Sequence, residues 1–173
     1  MDFIIRTGGE MDLDDIVVLE RAVAEAPHWS REEYAALGVS DSAGAVSRCV
    51  LVAEGVGDEG VMRLVGFAVG KFVGMDGQSA GELESVVVAE AARRTGVGRA
   101  LCQGVLEWCR QRGAAAVELE VRSRNVPARR LYSSVGFQEE GLRRGYYRDP
   151  ADDAVLMRLA MAGHSAGNED ESG

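Results

Sequence analysis

The stretch Arg93-Arg94-Thr95-Gly96-Val97-Gly98-Arg99-Ala100 follows the apolar run Val86-Val87-Val88 and precedes an amphipathic segment from Leu101 to Arg112. This order reads as a strand, a short turn and a helix that opens on glycines flanked by arginines. The first N–H groups of a helix have no partner within it and carry roughly half a positive charge, so a helix start attracts phosphate. Glycine lets an anion approach the backbone closely, and arginine adds charge and forked donors. The stretch therefore predicts a pyrophosphate-binding turn. The same glycines also suit a plain tight turn, and the remaining sequence has to separate the two readings.

A chain of 173 residues is long enough for one domain with a single buried core. Hydrophobic residues at 46% and charged residues at 27% place it with soluble globular proteins rather than disordered or membrane chains. No apolar run approaches the ~20 residues that a bilayer-crossing helix needs. The first residues, Met1-Asp2-Phe3-Ile4-Ile5-Arg6, lack the basic, apolar and cleavage regions of a secretion signal. Cys49 stands alone, and Cys102 and Cys109 lie seven apart on one expected helix, a spacing that suits packing rather than metal or disulfide. The expectation is a reduced, cytoplasmic protein without a metal site. The net charge of −9 includes Glu169, Asp170 and Glu171 near the C-terminus. Such an acidic surface argues against general nucleic-acid binding and is compatible with a cationic partner such as a basic peptide.

Taken in order, Phe3 to Thr7 reads as a strand and Met11 to Glu25 as a helix with Asp12, Asp14 and Asp15 in its first turn. Pro27-His28-Trp29 interrupts it, and Ser30-Arg31-Glu32-Glu33 has the form of a capping box opening a short helix towards Leu37. Residues 38–47 read as a loop. Cys49 to Glu54 and Arg63 to Val73 look like a hairpin, and Glu82 to Val88 like the strand that feeds the turn. The helix after the turn ends at Arg112-Gly113, and Ala115 to Arg122 is a further strand. Asn125 caps another helix, with Pro127 in its first turn and Gly136 at its end. Phe137 to Glu140 and Ala154 to Ala160 are the last strands, with a turn around Asp149-Pro150-Ala151-Asp152 between them. The order β α α β β β α β α β β predicts an α/β (α+β) domain, a mixed sheet with helices on both faces. It spans residues 1–162, and the small, polar, acidic residues 163–173 are expected to form a disordered tail.

With these elements in place the sequence resembles the GCN5-related N-acetyltransferase family. That family's phosphate-binding signature, (R/Q)-x-x-G-x-(G/A), is met by Arg93, Gly96 and Gly98. Within the family the chain looks most like the bacterial ribosomal-protein-alanine N-acetyltransferases. The stretches that carry this are Leu119-Glu120-Val121-Arg122-Ser123-Arg124-Asn125, Leu131-Tyr132-Ser133-Ser134-Val135-Gly136-Phe137 and Arg143-Arg144-Gly145-Tyr146-Tyr147, with Trp29-Ser30 earlier. The resemblance implies a mostly antiparallel sheet of about seven strands, splayed between the fourth and fifth. It also implies acetyl-CoA as cosubstrate. Arg93, Arg94, Thr95, Gly96, Val97, Gly98, Arg99 and Ala100 would hold its pyrophosphate. Val86, Val87 and Val88 would offer a free strand edge to the amide-bearing pantetheine arm, and Asn125 would touch that arm as well as capping its helix.

Acetyl transfer to an amine needs an uncharged nitrogen, a proton acceptor and a proton donor for the departing thiolate. An α-amino group, with a reference pKa of about 7.7–8.0, is partly neutral near pH 7, whereas a lysine near 10.4 is much harder to deprotonate. By the resemblance, Glu120 is the proton acceptor and Tyr132 the donor to sulfur. Glu118 shares the face of Glu120 and is a fallback. Other branches of the family draw their base from the strand before the turn, where Glu82 and Glu84 sit on one face, so Glu84 ranks second. Tyr146 and Tyr147 resemble a stretch that borders the peptide groove. The preferred reading is an N-acetyltransferase of a protein N-terminus. The alternatives are an acetyltransferase of a small amine or antibiotic, and a non-catalytic acyl-CoA-binding domain. Oligomeric state leaves no signal in the sequence.

Overall fold

The computed structural model describes residues 1–37, 45–57, 59–75 and 78–161. The chain forms β1 (Phe3–Thr7), α1 (Leu13–Ala22), α2 (Arg31–Leu37), β2 (Val46–Val56), β3 (Met62–Met75), β4 (Gln78–Val88), α3 (Val97–Gln111), β5 (Ala116–Arg122), α4 (Val126–Val135), β6 (Gln138–Arg148) and β7 (Ala151–Ala160). Short 3₁₀ turns at Glu10–Asp12 and Glu90–Ala92 lead into α1 and towards α3. The expected element order holds. Most of the 38–47 loop and the whole 163–173 tail lie outside the described residues.

The seven strands make one sheet in the order β1-β2-β3-β4-β5-β7-β6. Every neighbouring pair is antiparallel except β4 and β5, which α3 connects as a parallel pair. The helices cover both faces. On one, Val97, Leu101, Cys102, Val105 and Cys109 of α3 form a stripe at helical spacing and pack over Ala68, Leu83, Val117 and Leu119. Tyr132 of α4 and Phe137 close the same layer. On the other face Leu13, Ile16, Val17 and Tyr34 of α1 and α2 pack over Val52, Phe67, Val69 and Val87. Each such side chain, fully buried, contributes roughly 1.5–3 kcal/mol.

The local signals read from sequence are realised as bonds. Ser30 Oγ accepts from Glu33 N–H at 3.2 Å while Glu33 Oε2 accepts from Ser30 N–H at 2.6 Å, the reciprocal capping box. Asn125 Oδ1 accepts from Ala128 N–H at 3.2 Å. Gly113 and Gly136 end α3 and α4 in the left-handed region.

Several elements differ from expectation: β2 runs over Val46–Val56 rather than Cys49 to Glu54, β4 begins at Gln78 rather than Glu82, and β7 begins at Ala151, which reads as turn in the sequence. The helix read over Met11 to Glu25 divides into the first 3₁₀ turn and α1. The strand read over Phe137 to Glu140 extends as β6 to Arg148, although almost every residue of β6 is exposed and no apolar alternation marks it. β4 carries a β-bulge at Glu84, because Leu83 pairs with Gly70 and Ser85 with the adjacent Val69. The bulge switches faces, so Leu83 packs under α3 while Val87 packs under α1 and α2.

Candidate active site

β4 and β5 pair only from Ala80 to Glu82 against Ala116 to Glu118. Beyond that rung the two strands part. β4 continues to Val88, still bonded to β3 on its other side through Val88 and Gly66. Its unpaired N–H and C=O groups from Leu83 to Val88 therefore face the opening, as a free edge that an extended amide chain can join. Val86 and Val88 pack on the α3 side and Val87 on the opposite side, so the three valines divide between the two layers.

The turn after β4 lies at the parted end of that strand. Thr95 Oγ1 donates to the Ala92 carbonyl at 2.6 Å, and Gly96 takes φ +94 at the start of α3. No side chain caps α3, and the first intrahelical bond of the turn, Ala100 N–H to Gly96 O at 3.0 Å, leaves the N–H groups of residues 97–99 without helical partners. Arg93, Arg94 and Arg99 are exposed around them. Gly98 sits where three elements meet: a Cβ there would stand 3.1 Å from Leu131 Cδ2 of α4 and 3.5 Å from Val88 Cγ2 of β4. Val97 and Leu101, fully buried, anchor the turn to the core.

Tyr132 lies in the α3 layer with Leu119 and Val121, whereas Glu120 alternates to the other face of β5. Tyr132 is buried on α4 and packs edge-on against Phe137 at 6.1 Å. Burial pushes its phenol well above the ordinary range, with Cys102 and Tyr147 adding to the effect, so the hydroxyl holds its proton. Glu120, half-buried on β5, has Arg143 Nη1 at 3.4 Å. Glu120 raises the Tyr146 phenol, and Arg143 stands 5.6 Å from the Tyr146 ring centre. Tyr147 is raised first by burial and then by Glu120. The Tyr147 ring packs edge-on against Tyr146 at 5.1 Å. Asn125 presents its Oδ1 to the α4 cap, which leaves its amide donor for other contacts.

Glu84 is occupied. Arg48 of β2 grips it with Nε to Oε2 at 3.0 Å and Nη2 to Oε1 at 3.4 Å. Glu82, at the rung where the strands part, is held above the usual carboxylate range by partial burial and by nearby Glu84 and Glu120. Lys71 stands 3.9 Å from it, and Arg158 stands 3.6 Å from Glu118. A cavity of about 390 Å³ is bounded by Glu82, Glu118, Glu120, Glu140, Arg143 and Arg158. Its carboxylates are largely matched by cations from neighbouring strands. Arg48 was not legible as part of this site, since it lies 36 residues from Glu84 and no local pattern couples them.

Among the described residues no helix is long and apolar enough to cross a membrane, and no three His, Cys, Asp or Glu side chains gather as a metal set. The profile of the acetyltransferase (GNAT) family matches residues 13–137. The chain is similar to the [ribosomal protein bS18]-alanine N-acetyltransferase of Escherichia coli, 39% identical over 82 residues, which are 46% of this chain and 55% of that protein. It is also similar to the N-alpha-acetyltransferase RimI of Mycobacterium tuberculosis, 41% identical over 95 residues, 55% of this chain and 58% of that protein. The chain thus spans a little over half the length of the curated relatives it matches. The crystal structure of the ribosomal-protein-S18-alanine N-acetyltransferase from Escherichia coli superposes with a TM-score of 0.73 at 28% identity, covering 96% of this chain and 99% of that one. That of Arabidopsis thaliana NAA60 in complex with acetyl-CoA gives 0.76 at 19% identity over 92% and 100%, a likeness of fold. Motif, parted strands and family match agree, and the chain belongs to the acetyltransferase (GNAT) family.

Proposed function

We propose that this protein transfers the acetyl group of acetyl-CoA directly to the α-amino group of a protein N-terminus, in the manner of the ribosomal-protein-alanine N-acetyltransferases it resembles. The observation that carries this reading is the parting of β4 and β5, with an uncapped helix start after β4 and Glu120 on β5 just past the last paired rung.

The residues present suit the cosubstrate. The N–H groups of Val97, Gly98 and Arg99, aided by Thr95, Ala100 and the guanidinium groups of Arg93, Arg94 and Arg99, hold the pyrophosphate. The free β4 edge over Val86, Val87 and Val88 pairs with the pantetheine amides, and the Asn125 amide donates to the same arm. When bound, acetyl-CoA supplies an acyl carbon activated by a thiolate leaving group. Glu120 takes a proton from the arriving ammonium group, directly or through water, and Tyr132 gives a proton to the departing sulfur. An N-terminal amine suits this arrangement because its pKa of about 7.7–8.0 asks little of a carboxylate base. We place Glu84 outside the proton path, since its carboxylate is bidentate to Arg48. A cationic residue beside the acceptor's N-terminus would exchange with Arg143 or Arg158 at the cavity wall. The three cysteines are free and buried, which suits a reducing compartment, and we place the protein in the cytoplasm.

The test is incubation with acetyl-CoA and a peptide copying the N-terminus of the host's ribosomal protein bS18, beside a panel of small amines, read by mass spectrometry. Acetylation of the peptide α-amine is expected. Transfer to small amines with none to peptides would replace this reading with the small-acceptor one, and no CoA release with any acceptor would replace it with a binding role.

A further inference from the structure

The end of β5 carries an arginine that the acyl-transfer steps leave unused. Arg122 lies two residues beyond Glu120 and so shares its face of the strand. Its Nη1 donates to the Pro150 carbonyl at 2.8 Å and its Nη2 to the Asp149 carbonyl at 3.3 Å. Its guanidinium carbon also stands 4.0 Å from the centre of the Tyr147 ring. A planar guanidinium can offer its face to a ring and its edge to two carbonyls at once, and an ammonium group cannot.

These contacts close a hairpin whose pairing is broken. β6 and β7 pair at Arg143 with Ala154 and next at Tyr147 with Asp152, so Arg144, Gly145 and Tyr146 stand opposite Asp153 alone. Gly145 takes φ +62 within this bulge, and its N–H donates to Asp153 Oδ1 at 2.7 Å. The guanidinium carbon of Arg143 stands 5.6 Å from the centre of the Tyr146 ring while its Nη1 stands 3.4 Å from Glu120, and the Tyr146 ring packs edge-on against Tyr147 at 5.1 Å. A set of contacts therefore runs from Arg122 through Tyr147, Tyr146 and Arg143 to Glu120.

We propose that Arg122 is a positioning residue for the acceptor: through Tyr147 and the two turn carbonyls it fixes Tyr146 beside the Arg143–Glu120 pair, where the amine arrives. This rests on Glu120 as the proton acceptor proposed above. The cosubstrate side, at the β4 edge and the α3 start, shares none of these contacts.

Arg122→Lys in the full chain is the test, since it keeps the charge and loses the fork and the stacked plane. The acceptor-peptide KM is expected to rise about tenfold, the scale of one lost charge-assisted hydrogen bond, while the KM for acetyl-CoA holds. Tyr147→Leu should raise the same KM, and the double variant should be no worse than the poorer single one. A fall in melting temperature with both KM values unchanged would mean a purely structural role and overturn the proposal. Hydrogen exchange reads the same link without turnover: the Gly145 and Tyr147 amides should exchange about tenfold faster in Arg122→Lys than in the unaltered protein. Unchanged exchange overturns the proposal. If the unaltered protein acetylates no peptide, the reading of the reaction fails, and the exchange measurement still decides on Arg122.

Discussion

Replacing Tyr132 with Phe separates chemistry from folding more cleanly than any other change in this site. The ring is buried and packed edge-on against Phe137, and phenylalanine keeps that packing. Losing one hydroxyl should alter stability by no more than about 1 kcal/mol, the net scale of a single hydrogen bond. In a domain of this size that corresponds to roughly 2–4 °C in melting temperature. The rate effect is larger. General acid catalysis is worth about 10²- to 10⁴-fold, or about 2.7–5.4 kcal/mol at 1.36 kcal/mol per decade. The pH dependence adds a second check. Burial raises the Tyr132 phenol, so its proton is fully present below the ordinary tyrosine value of about 10 and is lost only above it. Turnover of the unaltered enzyme, followed by thiol release with saturating substrates, should therefore rise to a plateau and show no alkaline loss from Tyr132 below that value. Tyr132→Phe should give the same acid limb with a lowered plateau, and calorimetric affinity for acetyl-CoA should be unchanged. A variant that keeps more than about a tenth of the original kcat would refute the assignment of Tyr132 as proton donor.

Glu120→Gln should lower kcat about 10²-fold or more and leave a pH profile set by the acceptor amine alone, near pH 7.7–8.0. Glu84→Gln should keep most of the activity and lower the melting temperature, because it breaks the bidentate grip of Arg48; the reverse outcome would make Glu84 the base. Gly98→Val puts a branched side chain where a Cβ already stands 3.1 Å from Leu131. It should weaken acetyl-CoA binding in calorimetry and cost about 1–3 kcal/mol by overpacking, with the acceptor KM unchanged. Asn125→Ala removes the Oδ1 cap of α4 and should cost about 1 kcal/mol in denaturant unfolding; a further rise in KM for acetyl-CoA would support its contact with the pantetheine arm.

Much of the molecule was legible in the sequence because the forces that write it are local. The helix start at Gly96, the capping box at Ser30 and Glu33 and the Asn125 cap each depend on partners within four residues. The strands of the first five pairings were legible because burial on the two faces imposes alternation. β6 was read short because both its faces are wet, so polar and charged residues carry no period. Simple alternation also put Glu82 and Glu84 on equal terms, and it could not foresee a bulge created by pairing with β3.

The sequence by itself determined the order of elements, the Gly-rich start of α3, and the shortlist of carboxylates and tyrosines. Only the tertiary structure decided which cation each carboxylate meets. Arg48 reaches Glu84 across 36 residues of chain, and Arg122 reaches the Asp149 and Pro150 carbonyls across 27 and 28. Whether β4 and β5 part after Glu82 and Glu118 is likewise a matter of register between strands that α3 separates. Such pairings are fixed by the packing of whole layers, and no residue within a few positions of either partner can encode them.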